Sequence, residues 1–489
     1  MDETGNRTGG RRVSRQMSHG LVVPAIVRVD GQDLHPARVE GTSDVFRAPM
    51  FELVKSRWVP DEEVNACALC GAKFNQLRRR HHCRQCGLIF CAKCCKEKIP
   101  LPQLACEEPE RVCEQCRPVA EFVTKCRSPH LPFQLESAKG LAHATKDPKK
   151  VGKVVELGGV QALITLSIID NVQIRRHVTA GLHALSTRPA LHTMLAEAGA
   201  VKAVCRILTG VKNGEDETLC DGISALLIFC KSPELRGKAL DDGALGPVLE
   251  LCTHPSQAAA LLALSTLAHI VDNPGTHDTI VSSPKRALPR ILALTASDDE
   301  QMQEVALKIL AHLSTGNDEN KHRIVQEDFT SGRSLHKALN RKPKSEQVLC
   351  NAACLVANLA TGPDDQGGLQ ELMVLSGDLL TKGPASSELL CHLTRALANF
   401  ARFRQNSNRL MLYLPTVVNN CLRSAIPTVR THGLRFLLSL LTVMPAQTTE
   451  LLLKNGAEEV FKALGVIPGL MEAVMMPLLA EAPEKVKPL

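Results

Sequence analysis

Eight of the 19 cysteines fall in four pairs with two residues between the members: Cys67 and Cys70, Cys83 and Cys86, Cys91 and Cys94, Cys113 and Cys116. That separation lets a tight turn bring two thiolates to one tetrahedral ion, with bonds of about 2.3 Å. Eight such ligands make two structural zinc sites. Only four residues separate the second pair from the third, so sequential pairing strains the chain and interleaving is the expected solution. Cys67, Cys70, Cys91 and Cys94 then hold one zinc, and Cys83, Cys86, Cys113 and Cys116 the other. Four sulfurs close each site and leave no position for water, which sets aside a catalytic zinc. Cys95, Cys106 and Cys126 read as small packing residues.

The stretch RRRHHCRQCG, residues 78–87, crowds cations against these ligands. Over residues 55–118, 12 Lys and Arg stand against 8 Asp and Glu, a net +4 before metal. Eight thiolates and two zincs bring the formal charge to zero, so the arginines lie beside anionic centres. Neutralisation alone does not ask for two adjacent histidines and a fork of arginines.

WVPD (58–61), RRHHCR (79–84) and RVC (111–113), set among the eight cysteines, resemble the signature of the FYVE domain, a zinc module of about 65 residues. The resemblance implies binding of phosphatidylinositol 3-phosphate on endosomal membranes, in a pocket lined by Asp61, Arg79, Arg80, His81, His82, Arg84 and Arg111. If residues 79–84 form a strand with Cys83 facing its zinc, Arg80, His82 and Arg84 share the opposite face. With Arg111 they suit a dianionic monoester, because arginine offers forked, charge-assisted bonds. Arg79 and His81 then reach the 1-phosphate or ring hydroxyls, and Asp61 accepts from hydroxyls and repels headgroups phosphorylated at positions 4 or 5. A histidine that donates while protonated makes affinity full below its free pKa and weaker as pH rises through the bound one. Trp58 reads as a packing residue of a small core.

The loop before the motif is expected to face the bilayer, with Gln76 and Leu77 at its tip, Lys73 and Arg78 flanking, and Phe74 in the core. Burying Leu77 contributes about 1.5 to 3 kcal/mol at most, and each cation about 1 kcal/mol near anionic lipid. Weak binding by one copy follows, with a homodimer or a second contact supplying avidity.

The rest of the chain must position this module. At 489 residues it is too long for one core. Aromatics at 3% favour small aliphatic cores, as in helical stacks, over sandwiches or barrels. The net charge of +7 does not point to nucleic acid. The N-terminus lacks the apolar run of a signal peptide, and Thr253–Val271, which lies in a long stretch without Asp, Glu, Lys or Arg, is too polar for a membrane span. A cytoplasmic protein peripheral on early endosomal membranes is expected. Residues 1–48 read as mostly disordered with one strand, 49–120 as the zinc module, 121–480 as helical repeats and 481–489 as a tail. RRVS, ending at Ser14, fits a kinase that prefers basic residues, although such tetrapeptides are common.

Aligning the C-terminal region on LAHAT, HALST, LAHLST, VANLAT and LANFA sets His143, Ala184, Ile228, His269, His312, Asn358, Asn399 and Leu440 in one column, with steps of 41 to 46 residues. ELGGV, EAGAV, DDGAL and KNGAE place a glycine turn before a new helix in a second register. This resembles about eight armadillo repeats, which stack into an α-solenoid superhelix with a concave groove. His269, His312, Asn358 and Asn399 are the candidate peptide-holding residues of that groove, with polar groups satisfied inside the stack as the alternative. The fold expected is mainly α, a two-zinc cross-brace module followed by the solenoid. The function expected is a non-enzymatic adaptor that reads the lipid and recruits proteins. A RING-like E3 ubiquitin ligase shares the interleaved zinc topology but has no reason to carry WVPD, RRHHCR and RVC together. A zinc-stabilised scaffold that binds only protein is the plainer alternative.

Overall fold

A computed structural model describes residues 23–460 except 57, 213, 284–286, 331, 341–344, 385 and 458. Ser14 and the tail drawn at 481–489 lie outside the described residues. The chain divides into two compact units, one through Ala225 and the other from Leu226.

The first unit opens on a hairpin of β1 (Val27–Val29) and β2 (Gln32–Leu34), antiparallel with Val27 opposite Leu34. Asp30 and Gly31 at its turn take φ of 50° and 83°, the conformation that matches the twist of paired strands. Val27, Val29 and Leu34 are buried. The chain that follows is tied to helices. The Ala37 N–H donates to Val155 O at 2.9 Å, the Gln161 amide to Ala37 O at 3.1 Å, and the Arg127 guanidinium to Phe51 O at 2.6 Å. Residues 23–48 are therefore not disordered. Alternating apolar residues around Asp30-Gly31 make a hairpin signal that outweighs the Gly, Ser and Arg content.

Two further antiparallel pairs build the cysteine module: β3 (His81–His82) with β4 (Ile89–Phe90), and β5 (Lys98–Leu101) with β6 (Cys106–Arg111). Phe51, Ile89, Phe90, Leu101 and Val112 form its small core. Helix α1 (Arg117–Cys126) starts directly after Cys116, whose carbonyl accepts from the Ala120 N–H at 2.9 Å. The positive end of the helix thus meets the thiolates. The boundary drawn at 120 falls inside α1, so no linker separates the module from the repeats. Helix α1 packs on α2 (Leu131–Lys146), and after α3 (Val151–Glu156) on α4 (Gly159–Leu166).

The repeat column is borne out helix by helix. His143 lies within four residues of the end of α2, and Ala184 likewise in α5 (Val172–Ser186). Ile228, His269, His312, Asn358, Asn399 and Leu440 hold the same place in Asp216–Lys231, Gln257–Ile270, Glu300–Leu313, Glu346–Leu359, Ser387–Phe400 and Pro427–Val443. Within the second unit the last five of these pack in chain order, burying Ala263, Leu267, Ala306, Leu310, Ala353 and Leu397. The glycine turns also hold, with Gly158 and Gly199 at φ of 88° and 96°. Both lie against the N-terminal segment. A Cβ on Gly158 would stand 2.8 Å from a Leu53 methyl, and one on Gly199 3.2 Å from the Phe46 ring. Among the described residues, no helix is long and apolar enough to cross a membrane.

Candidate functional site

Each interleaved cysteine set converges. In Cys67, Cys70, Cys91 and Cys94, and again in Cys83, Cys86, Cys113 and Cys116, all four Sγ atoms lie within 4.8 Å of one another. A tetrahedron of Zn–S bonds places its sulfurs about 3.8 Å apart, and Cys70 Sγ is 3.8 Å from Cys91 Sγ. Four soft donors at this spacing fit zinc, and the chain carries two such sites. Burial raises the Cys67 thiol, but N–H groups of Cys70, Cys91 and Leu69 outweigh it and bring the pKa down to about 6. Hydrogen bonds from the Cys113, Cys116 and Cys86 thiols hold Cys83 well below the usual thiol range. Cys94 is held above that range by burial and the neighbouring sulfurs, and Cys86 and Cys116 by the sulfurs of their own set, so each set keeps protons that a metal would displace. Cys95 and Cys126 are pushed up to about 12 by burial and stay thiols. Cys106 donates to Leu104 O at 3.4 Å.

The strand expected over residues 79–84 contracts to His81–His82, and other contacts take over the work of orientation. Trp58 is not a core residue: it is 47% exposed, and its ring stacks on His82 with centroids 4.1 Å apart. The Arg84 guanidinium stands 5.1 Å from the centre of the same ring. His82 Nε2 lies 2.7 Å from Val59 O and 3.9 Å from Asp61 Oδ1. A carbonyl only accepts, so this nitrogen carries a proton. The Arg84 N–H donates to Arg111 O at 2.8 Å, and Arg84 Nη2 donates to Glu110 Oε1 at 2.9 Å. His82 and Arg84 are thereby brought onto the Trp58 ring, with Asp61 beside His82 and the Arg111 backbone beside Arg84.

The other expected residues sit apart from that ring. Arg80 donates from Nε to Val64 O at 3.1 Å and lies over Phe74, 5.1 Å from its centre. Arg79 is exposed. Arg111 Nη1 donates to Cys95 O at 3.0 Å. His81 is held below the ordinary imidazole range by burial, then by the Arg111 and Arg79 charges, so near neutral pH it starts uncharged. The contacts made by Glu110, Trp58 and Val59 are not legible in the sequence. Glu110 is marked only by its place directly before Arg111.

The expected membrane loop is a capped turn. Asn75 Oδ1 accepts from the Leu77 and Arg78 N–H groups at 3.0 and 2.8 Å, and Arg78 Nη1 donates to Lys73 O at 3.1 Å. Leu77 is 98% exposed at the tip beside exposed Gln76. Asn75 organises the turn, and the Asn-to-N–H pattern is the signal that identifies it.

The groove candidates fare differently. Asn358 Nδ2 donates to Ala311 O at 3.0 Å and to Ser314 Oγ at 3.1 Å. Asn399 is buried, donating to Ala357 O at 2.7 Å and accepting from Arg435 at 2.9 Å. Both amides tie one repeat to its neighbours. His312 Nδ1 stands 3.7 Å from Asp272 Oδ1, and burial lowers the pKa of both His269 and His312.

Comparison with known proteins agrees with this geometry. Residues 57–121 match the FYVE zinc finger family. The Lateral signaling target protein 2 homolog of Brugia malayi is 47% identical over 68 residues, which are 14% of this chain and 11% of that protein. The chain thus spans about a tenth of the length of the curated relatives it matches. Among solved structures, UNC-45 from Drosophila melanogaster aligns with a TM-score of 0.56 at 17% identity, over 75% of this chain and 51% of that one. An engineered protein aligns with a TM-score of 0.52 at 20% identity, over 75% of this chain and 99% of that one. These likenesses carry the fold of the helical region alone. Residues 57–121 are a FYVE zinc finger, followed by armadillo-like helical repeats.

Proposed function

We propose that this protein is a non-enzymatic adaptor that docks peripherally on early endosomal membranes through phosphatidylinositol 3-phosphate and presents its helical repeats to protein partners. The observation that carries the reading is the gathering of His82 and Arg84 on the exposed Trp58 ring, with Asp61 beside His82 and the Arg111 carbonyl bonded to the Arg84 N–H. Two arginines and a histidine offer forked and single donors to a phosphate monoester. The adjacent carboxylate accepts from inositol hydroxyls and disfavours further phosphates. The exposed Leu77, flanked by Lys73 and Arg78, supplies a small apolar wedge with cations at its rim. Zinc contributes to folding rather than chemistry, because all four positions at each site are sulfur.

Flotation of the full chain with vesicles that each carry one phosphoinositide tests the lipid half. Recovery is expected with the 3-phosphate and not with headgroups phosphorylated at position 4 or 5. Equal recovery with every lipid overturns it. Incubation with mixed ubiquitin-conjugating enzymes is expected to give no autoubiquitination.

A further inference from the structure

The first helical repeat carries a groove of about 510 Å³ with an apolar floor and a positive rim. The Phe122 ring of α1 lies flat on Gly140 of α2, so closely that a Cβ there would stand 2.2 Å from the ring. Ala142 and Ala180 extend this floor. Lys139, His143 and Lys146 from α2 and His177 from α5 line the rim, with one acid, Glu136. That acid is already bonded to Lys125 at 2.6 Å. The neighbouring Asp147 is engaged by Lys150 at 3.1 Å and by the Lys149 N–H at 2.9 Å. Arg176 pairs with Glu217. Among the described residues, Lys139 and Lys146 form no ion pair within 4.0 Å. His177 is held below the ordinary imidazole range by burial and by the Arg176, Lys139 and Lys146 charges, a sign of uncompensated positive potential.

We infer that this groove is a docking site for an acidic peptide segment bearing one bulky apolar side chain. The recess accepts the apolar side chain against Phe122, and the flanking acids meet Lys139 and Lys146. Mostly apolar lining with a few placed charges is the composition of a built recognition site, and the sign of the rim selects partners and raises their encounter rate. A bilayer fits less well, because the apolar surface is recessed between helices rather than raised like Leu77. The inference rests on the proposal that the repeats recruit proteins. It moves the contact to the first repeats, since the amides of Asn358 and Asn399 are engaged within the stack.

The test is enrichment of a randomised 12-residue displayed peptide library on the full chain, beside the double variant Lys139→Glu, Lys146→Glu. Both lysines are exposed, so the variant is expected to keep its fold, checked by its thermal midpoint. The expected result is a pool of acidic peptides centred on Leu, Phe or Met. Their affinity should fall roughly tenfold or more in the double variant, and Phe122→Ala should weaken them while sparing acidic peptides without an apolar residue. Enrichment of basic or neutral peptides, no enrichment, or binding indifferent to the double variant overturns the proposal. Loss of binding to phosphatidylserine vesicles in that variant, without peptide enrichment, assigns the cations to the membrane instead. Flotation of the same variant on phosphatidylinositol 3-phosphate vesicles reads the lipid half separately, and it should match wild type.

Discussion

Trp58 and His82 lie nearly face to face, with centroids 4.1 Å apart and planes 14° from parallel. His82 is fixed on one side by this stack and at Nε2 by Val59 O, so the WVPD motif orients the histidine of the RRHHCR motif. Trp58→Ala should weaken binding of the soluble headgroup about tenfold, because a stacked ring pair contributes about 0.5–1.5 kcal/mol and Arg84 loses its platform as well. Trp58→Phe should recover most of the loss. Calorimetric titration with glycerophosphoinositol 3-phosphate, with zinc content checked as unchanged, measures both.

Glu110 is paired with Arg84, the group proposed to receive the phosphate. The side chains are 39% and 35% exposed, so the pair is weak and exchangeable. A phosphate must displace the carboxylate, and Glu110→Gln should therefore tighten headgroup binding by about two- to fivefold. Trp58 is the only tryptophan, and its emission reports the Arg84 environment directly. Unchanged or weaker binding in the variant would count against the competition.

Zinc removal should collapse the module and leave the repeats helical. Cys83, Cys113 and Cys116 are buried, and four-sulfur sites contribute folding energy outright. Metal analysis should give two zincs per chain, and Cys83→Ser should lose at least one. Because the ligands are thiolates, zinc should leave as pH falls. Far-ultraviolet circular dichroism, dominated by the repeat helices, should change little.

A buried ion pair braces the second repeat: Arg175 donates to both carboxylate oxygens of Glu215, at 3.1 and 2.6 Å, and their side chains are 5% and 6% exposed. Burial alone would raise the Glu215 pKa, but Arg175 and the Lys212 N–H lower it overall. A depressed carboxylate contributes stability above its unfolded pKa, about 4.3, and loses it as pH falls through the lower folded value. Glu215→Gln should cost about 3 kcal/mol near neutral pH by leaving Arg175 underpaired. The gap between variant and wild-type thermal midpoints should close below about pH 4.

The zinc ligands and the repeat column were legible because each is fixed by spacing. Two residues between cysteines and about 42 between helices are geometric requirements, and both register glycines and column residues fall where expected. The Asp30-Gly31 hairpin was equally legible as a turn signal, but composition masked it. Trp58, Glu110 and Val59 were not legible, since each acts through a partner on a different segment of the module. The amides of Asn358 and Asn399 show the same limit: sequence places them on a helix, and only tertiary contact decides whether they face a ligand or the next repeat. The contraction of the 79–84 strand follows from short pairing, because β4 offers only Ile89 and Phe90 as partners.

The central claim is that Arg84, beside His82 and Arg111, receives the 3-phosphate. Flotation of wild type and Arg84→Ala with phosphatidylinositol 3-phosphate vesicles tests it most directly. Recovery of the wild type and loss of most binding in the variant are expected, with two zincs retained per chain in both. Equal recovery of the two proteins would contradict it.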